Sequence, residues 1–374
     1  MSAPASATAS EDARWMQAAL NFGERSLGQA APNPSVGAIL VRGGVVVGRG
    51  VTAPGGRPHA ERIALAEAGD AARGATLYVT LEPCSHVGAS PPCADAVIEA
   101  GVTRVVVAIE DPNPLVGGQG TARLRAAGIV VTVGVGADQA RRDHLGHIRR
   151  VTEGRPCVTL KIAETADGFA SGGLHDSRLK ITGAIANARV QMLRATHEAI
   201  MVGSETALAD DPALTVRLPG LDRRPWRVVL DTRLRLSSSS RLATDAKSLP
   251  TLAFAGPDAS AEAEARLAER GVVVERVALD AGGHVDLGAA LRALSARGVT
   301  RVFSEGGPRV AARLIALGLA DQVVVFTAER PLGRQGVAAL SDEARERLAS
   351  PSRYRLVETA ACGPDTMRAW ERRD

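Results

Sequence analysis

Short runs of Val, Ile, Leu and Ala alternate with helical stretches along this 374-residue chain, and the alternation starts afresh at Cys157. Residues 36–41 and 45–51 are β-rich runs separated by Arg42-Gly43-Gly44, the pattern of a hairpin. Helices are expected near 59–72, 93–100 and 120–127, strands at 75–81, 104–109 and 129–135, and a closing helix over 137–150. Strands alternating with helices imply a layered α/β domain whose later strands pair in parallel. After a linker at 152–156, a second series places strands at 158–163, 199–202, 227–231, 251–255, 272–277, 300–303 and 322–327, with helices over 184–195 and 308–317. No internal repeat relates the two series, so residues 11–150 and 156–374 read as two different α/β domains.

Composition narrows the function classes. Aromatic residues make up 3% of the chain, so both cores must be built from aliphatic side chains. The net charge of +4 invites a nucleic-acid reading, but the lysines are only Lys161, Lys180 and Lys247, and the arginines are scattered rather than clustered. The stacking platforms of single-strand binders also need aromatics that this chain lacks. No nucleic-acid partner is therefore expected. No apolar run approaches the roughly 18 residues that span a bilayer, and residues 1–10 are Ala/Ser-rich without a basic or apolar segment. They read as a frayed tail on a cytoplasmic protein. Four cysteines in such a chain do not make a disulfide framework.

Two of those cysteines carry chemistry. His59-Ala60-Glu61 is followed by Pro83-Cys84 and then Cys93. One imidazole and two thiolates supply three zinc ligands and leave a fourth position for water, the mark of a catalytic site. Glu61, two residues after His59, is placed to stand beside the metal without ligating it and to move protons from the water to a leaving amine. This is the layout of zinc deaminases. Their usual Cys-x-x-Cys spacing is replaced here by eight intervening residues, 85–92, in which a glycine and two prolines make a loop. His86 lies in that loop; a fourth protein ligand would block catalysis, so substrate contact or loop packing suits it better. Asn33, in an Asn-Pro step before the first strand, offers a carboxamide that reads donors and acceptors on a heterocycle.

The stretches Asn33-Pro34-Ser35-Val36-Gly37, Pro58-His59-Ala60-Glu61, Leu81-Glu82-Pro83-Cys84-Ser85-His86 and Pro91-Pro92-Cys93 resemble the deaminase half of the bifunctional riboflavin-biosynthesis deaminase/reductase family, and Asp111-Pro112-Asn113-Pro114 resembles that family's next signature. The long loop ending in Pro-Pro-Cys separates this family from deaminases of tRNA or free cytidine. The resemblance implies a cytidine-deaminase-like α/β/α domain first.

In the second half, Glu305-Gly306-Gly307-Pro308 joins a strand to a helix, where glycines let backbone N–H groups approach a pyrophosphate. Residues 209–217 gather acids, a turn and Arg217, whose guanidinium suits a phosphate. Asp231-Thr232-Arg233 follows a strand's C-terminal end, where ligands bind in open α/β sheets. These segments resemble the reductase half of the same family, which implies a dihydrofolate-reductase-like α/β domain. By that resemblance Arg194, Leu214, Arg217 and Glu305 contact substrate, and Ala163, Lys180, Thr206, Asp210, Thr232 and Gly307 line an NADPH site. Lys161 and Asp167-Gly168 fall on the strand and turn that open the domain.

The chain departs from the family in places. Ala89-Ser90 stands where a basic residue is usual, Thr52 where many members have His, Phe169 where Lys or Arg is common, and Lys180 where Trp is common. The implied activity is zinc-dependent deamination of a phosphorylated pyrimidine followed by NADPH-dependent reduction, in a homo-oligomer (dimer or tetramer). Three alternatives stand beside it: a paralogue with the same chemistry on a modified pyrimidine, a nucleic-acid deaminase with an accessory domain, and a zinc-stabilised binding protein without turnover.

Overall fold

Gly43 and Gly44 both take positive φ, 59° and 78°, as a two-residue hairpin turn requires. The strands they join, β1 (Gly37–Arg42) and β2 (Val45–Val51), pair antiparallel. They belong to a computed structural model that describes residues 9–86, 91–114, 116–173 and 179–373. The chain divides into two compact units, Met1–Gly154 and Arg155–Asp374.

In the first unit β3 (Thr76–Val79), β4 (Arg104–Val107) and β5 (Val130–Val133) extend the sheet in the order β2-β1-β3-β4-β5, with β3, β4 and β5 parallel. The helices are α1 (Ala9–Gly23), α2 (Ala60–Ala68), α3 (Cys93–Glu99), α4 (Gln119–Ala126), α5 (Ala137–Asp143) and α6 (Leu145–Glu153). Close approach decides where two of them sit. A Cβ at Gly50 or Gly48 would collide with the carbonyl oxygens of Ala60 and Ala64, so α2 lies directly on the backbone of β2. A Cβ at Gly37 would collide with the carbonyl of Ala19, which seats α1 on β1. Gly50 pairs with Ala38 and Gly37 with Val51. Successive residues of a strand face opposite sides, so α1 and α2 cover opposite faces of the sheet.

Two features differ from the sequence pattern. The segment from Ala9 is not frayed: α1 is anchored by Asp12, which accepts two hydrogen bonds from Arg104 on β4 (2.7 and 2.6 Å) and one from the Tyr78 hydroxyl on β3 (3.0 Å). The closing helix is two helices, because the chain breaks at His144 to bury that ring beside Thr80, 3.1 Å from its hydroxyl.

The second unit contains β6 (Cys157–Glu164), β7 (Phe169–Ser171), α7 (Ala184–Ala195), β8 (Ala199–Gly203), α8 (Ser204–Asp210) and β9 (Trp226–Leu230). There follow α9 (Arg241–Thr244), β10 (Thr251–Ala255), α10 (Ala261–Glu269), β11 (Val273–Arg276), α11 (Leu287–Ala296) and β12 (Arg301–Ser304). The chain ends with α12 (Pro308–Ala316), β13 (Gln322–Thr327), β14 (Val337–Ala338), α13 (Asp342–Ala349), β15 (Tyr354–Cys362) and β16 (Asp365–Arg372). Among the described residues the main sheet has the order β11-β10-β9-β8-β12-β6-β13-β16-β15. It is parallel from β11 to β13 and antiparallel beyond. Both faces are covered. Ala199 and Met201 join one apolar cluster and Ile200 and Val202 the other, which is why β8 reads as a continuous apolar run.

Helix starts fall into two groups. Ser240, Ser260, Asp286 and Ser341 cap α9, α10, α11 and α13 by accepting from an amide in the first turn. By contrast α2, α3, α7, α8 and α12 open on His59, Pro92, Gly183, Gly203 and Gly307 with no side-chain cap. Among the described residues no helix is long and apolar enough to cross a membrane.

Replacing Asp12 with Ala strands the Arg104 guanidinium and the Tyr78 hydroxyl, and is expected to destabilise the first unit by about 2–4 kcal/mol. Hydrogen bonding from Arg104 holds the Asp12 carboxyl below the ordinary carboxylate range. Its contribution is therefore complete above the usual Asp value of about 3.9 and is lost as pH falls through the lower folded-state value. Urea unfolding of wild type and Asp12→Ala at neutral pH and again near pH 3 checks both points: the gap between them should narrow in acid.

Candidate active sites

The first site is assembled at two uncapped helix starts. His59 immediately precedes α2, Glu61 lies in its first turn, and Cys93 opens α3. Cys84 follows β3 and comes between them. The His59 Nδ1 lies 3.4 Å from Cys93 Sγ and 3.7 Å from Cys84 Sγ. All three donor atoms fall within 4.8 Å of one another. The Cys93 amide donates to Cys84 Sγ (3.3 Å), and the Ala94 amide donates to the Cys84 carbonyl (3.1 Å), so the two ends of the long loop are stitched together. Arg62 holds the Pro91 carbonyl at 2.9 Å. Residues 87–90, which include the Ala89-Ser90 departure, lie outside the described residues.

Asn33 backs the imidazole. Its carboxamide nitrogen is 3.3 Å from His59 Nε2 and donates to the Gly56 carbonyl (2.8 Å). His59 Nδ1 is thereby turned to the two sulfurs. His86 is exposed at the edge of the described loop. Thr52 is only 2% exposed and its hydroxyl accepts the Val36 amide (3.0 Å), so this side chain is committed to joining the strand ends.

The charges in this cluster are interlocked. Hydrogen bonding from Cys93, reinforced by His59, lowers the Cys84 thiol to about 4. The Cys93 thiol is raised, chiefly because it donates to Cys84. The hydrogen bond with Cys84 raises His59. Glu61 is 3% exposed, and its burial, with the neighbouring Cys84 charge, pushes its carboxyl up to about 7. A negative sulfur beside a second thiol and an imidazole suits a soft-to-borderline dication, and two Cys with one His is a catalytic zinc set. The site fits zinc.

In the second unit the C-terminal ends of β8, β9 and β12 point the same way, since these strands are parallel. Arg194, at the end of α7, forms a two-pronged ion pair with Glu305 just after β12 (Nε–Oε1 2.5 Å, Nη2–Oε2 3.0 Å) and donates to the Thr215 carbonyl (2.9 Å). Arg217 is exposed; its amide donates to the Gln191 side chain (2.8 Å) and its guanidinium reaches the Thr215 hydroxyl (3.2 Å). Burial and the nearby Arg194 charge lower the Arg217 pKa. Leu214 is 2% exposed and holds a left-handed backbone, φ 48°, in this loop.

Gly307 precedes α12, and a Cβ there would meet the Thr206 hydroxyl. The two therefore form a narrow floor at an uncapped helix start. Asp210 ends α8, half-buried, and Ala163 is half-buried on β6 beside Phe326. Thr232 follows β9, where its hydroxyl accepts the Val285 amide (3.1 Å). Lys180 is exposed just past residues 174–178, which lie outside the described residues. Asp167 accepts hydrogen bonds from the Thr165 hydroxyl and from the amides of Leu332 and Gly333, tying the turn after β6 to the loop after β13.

Sequence reasoning passed over Glu82. It is 6% exposed and accepts three backbone amides, from Asp111, Gly118 and Thr121. An acid directly before Pro-Cys was the one available signal.

Family models match both halves. Residues 9–109 match the cytidine and deoxycytidylate deaminase zinc-binding region, and residues 156–367 match the RibD C-terminal domain. The riboflavin biosynthesis protein RibD of Aquifex aeolicus is 40% identical over 86% of this chain and 88% of its own length, and that of Escherichia coli is 36% identical over 95% and 98%. The solved structure of Acinetobacter baumannii RibD superposes with a TM-score of 0.84 at 33% identity, covering 98% of this chain and all of that one. A Thermotoga maritima protein, described as a diaminohydroxyphosphoribosylaminopyrimidine deaminase/5-amino-6-(5-phosphoribosylamino)uracil reductase, does so with 0.82 at 31% identity over 97% and 99%. Matched in both halves and over nearly its whole length, the chain belongs to the RibD family, with a zinc-binding deaminase domain followed by a reductase domain.

Proposed function

We propose that the chain catalyses two consecutive steps of riboflavin biosynthesis. The first is hydrolytic loss of the 2-amino group from 2,5-diamino-6-ribosylamino-4(3H)-pyrimidinone 5′-phosphate. The second is NADPH-dependent reduction of the ribosyl group to ribityl. The observation that carries the reading is the convergence of His59 Nδ1 and the sulfurs of Cys84 and Cys93 beside the buried carboxyl of Glu61. The bifunctional description of the Thermotoga relative supports the choice of substrate.

In the deaminase half His59, Cys84 and Cys93 hold zinc, which when bound supplies Lewis acidity toward water and substrate. Glu61 takes the proton of the attacking water and delivers it to the departing amino group, which leaves as ammonia. Burial raises its carboxyl, which favours taking up a proton. Asn33 fixes the imidazole through Nε2.

In the reductase half NADPH, when bound, supplies the hydride. The glycine floor at Gly306-Gly307 and the open start of α12 suit its pyrophosphate, with Thr206, Asp210, Thr232, Ala163 and Lys180 around it. Arg217 faces the substrate phosphate, and Leu214 supports the loop beneath. Arg194 works one step back: its charge is answered by Glu305, and its Nη1 donates to the Thr215 carbonyl. Catalysis here rests on positioning donor and acceptor carbons.

With zinc-loaded protein, the diaminopyrimidinone ribosyl phosphate should release ammonia and then consume NADPH. Glu61→Gln should cut ammonia release by about 10²–10⁴-fold while keeping its zinc and still reducing the deaminated substrate. Zinc bound with neither signal would sink this substrate assignment and leave the paralogue acting on a modified pyrimidine.

Prolonged chelation should abolish ammonia release and spare NADPH oxidation on the deaminated substrate, since the metal ligands belong to the first unit alone; loss of both rates together would contradict that division.

Arg217→Ala should raise the reductase KM by roughly 10–100-fold, the loss of a charged hydrogen bond worth about 1.5–3 kcal/mol, and leave deamination unchanged. Steady-state kinetics of the separate steps decide it; an unchanged reductase KM removes Arg217 from the phosphate site.

A further inference from the structure

The Asp111-Pro112-Asn113-Pro114 motif and the acid before Pro83-Cys84 have no part in the chemistry above, yet they meet. Glu82 reaches from the metal loop to the amides of Asp111, Gly118 and Thr121. Its Oε2 accepts the amides of Asp111 (3.0 Å) and Gly118 (2.9 Å), and its Oε1 accepts that of Thr121 in the first turn of α4 (2.9 Å). Its own amide donates to the Ile109 carbonyl at 3.0 Å. Asp111 is gripped from its other side: its Oδ1 accepts the Asn113 amide (2.9 Å) and faces His147 Nε2 on α6 (3.1 Å).

Helix α4 touches the chain on both sides of Cys84. A Cβ at Gly120 would collide with the Pro83 carbonyl, so α4 is seated directly on the residue before the ligand. One turn on, Arg123 donates to the Ser85 carbonyl (3.3 Å) and pairs with Asp95 on α3 (2.6 Å), the helix that Cys93 opens.

We propose that Glu82 is a positioning residue for the metal loop, joining the Cys84 segment to Asp111, Gly118 and α4 and so governing how long the metal stays bound. The proposal rests on the reading that His59, Cys84 and Cys93 hold zinc. A carboxyl is required because three N–H groups converge on it: glutamine has one oxygen, and its amide nitrogen turns a donor toward a donor. Groups that fix a metal ligand from behind alter metal affinity by about 10–100-fold when removed.

The test uses the full-length zinc-loaded protein and Glu82→Gln. Zinc release to a chromophoric chelator is timed, and amide hydrogen exchange and thermal midpoints are measured on the same samples. Release from the variant is expected to be about tenfold faster or more. Exchange should quicken at Asp111, Gly118 and Thr121, kcat for ammonia release should fall more than KM changes, and reduction of the deaminated substrate should be unaltered. A variant that releases zinc at the wild-type rate overturns the proposal, whatever its thermal midpoint. A wild-type chain that holds no zinc overturns this proposal and the site reading together, which keeps the two failures apart. Should Glu82→Gln not fold, Arg123→Gln at the half-exposed end of the same clamp is expected to quicken zinc release, and an unchanged rate there overturns the proposal equally.

Discussion

The first unit depends on one close contact, the backbone of α2 lying on the backbone of β2. Gly48 and Gly50 stand two residues apart and so face the same side, and either one with a Cβ would strike a carbonyl of the helix. Nothing larger than hydrogen fits, and the helix has no freedom to rise from the sheet. Because His59 and Glu61 occupy the start of that helix, the glycines fix the height of both side chains together. The cysteines must then be brought to that height, and this is the work of α3 and α4 on the same face.

That geometry explains the electrostatics. Two thiols and an imidazole crowded within hydrogen-bonding distance favour loss of the Cys84 proton, with its neighbours as donors to it. The resulting negative charge lies against Glu61, which burial already disfavours as an ion. A cation in the cluster answers both problems at once. Charge complementarity, as much as ligand count, therefore selects a metal here.

Much of this was legible in the chain itself. His59, Glu61, Cys84 and Cys93 stood out because few residue types do this chemistry and they occur in the required order. Strands such as β10 and helices such as α7 matched their apolar patterns residue for residue. Other parts had no local signature. Strand β15 is exposed along most of its length and carries Arg355 and Glu358, so it lacks the apolar alternation that marks a half-buried strand. The break between α5 and α6 serves a contact between His144 and Thr80, distant in sequence. The start of α1 is set by Asp12 meeting Arg104, 92 residues away. The pairing of Arg194 with Glu305 spans 111 residues and has no local signature.

The two units share a division of labour among charged residues. In each, one buried charge is consumed by the protein's own structure while a neighbour of the same sign is not. Glu82 is spent on three amides, while Glu61 lies buried beside His59, Cys84 and Cys93. Arg194 is neutralised by Glu305 and a carbonyl, while Arg217, on the loop that Arg194 holds, stays exposed. A buried charge held by several hydrogen bonds resists displacement, since removing either partner leaves the other stranded in a poor solvent. An exposed charge pays no such penalty for exchanging water for a phosphate. Residues that look equivalent in the sequence, two acids or two arginines, are therefore separated by the partners the fold gives them.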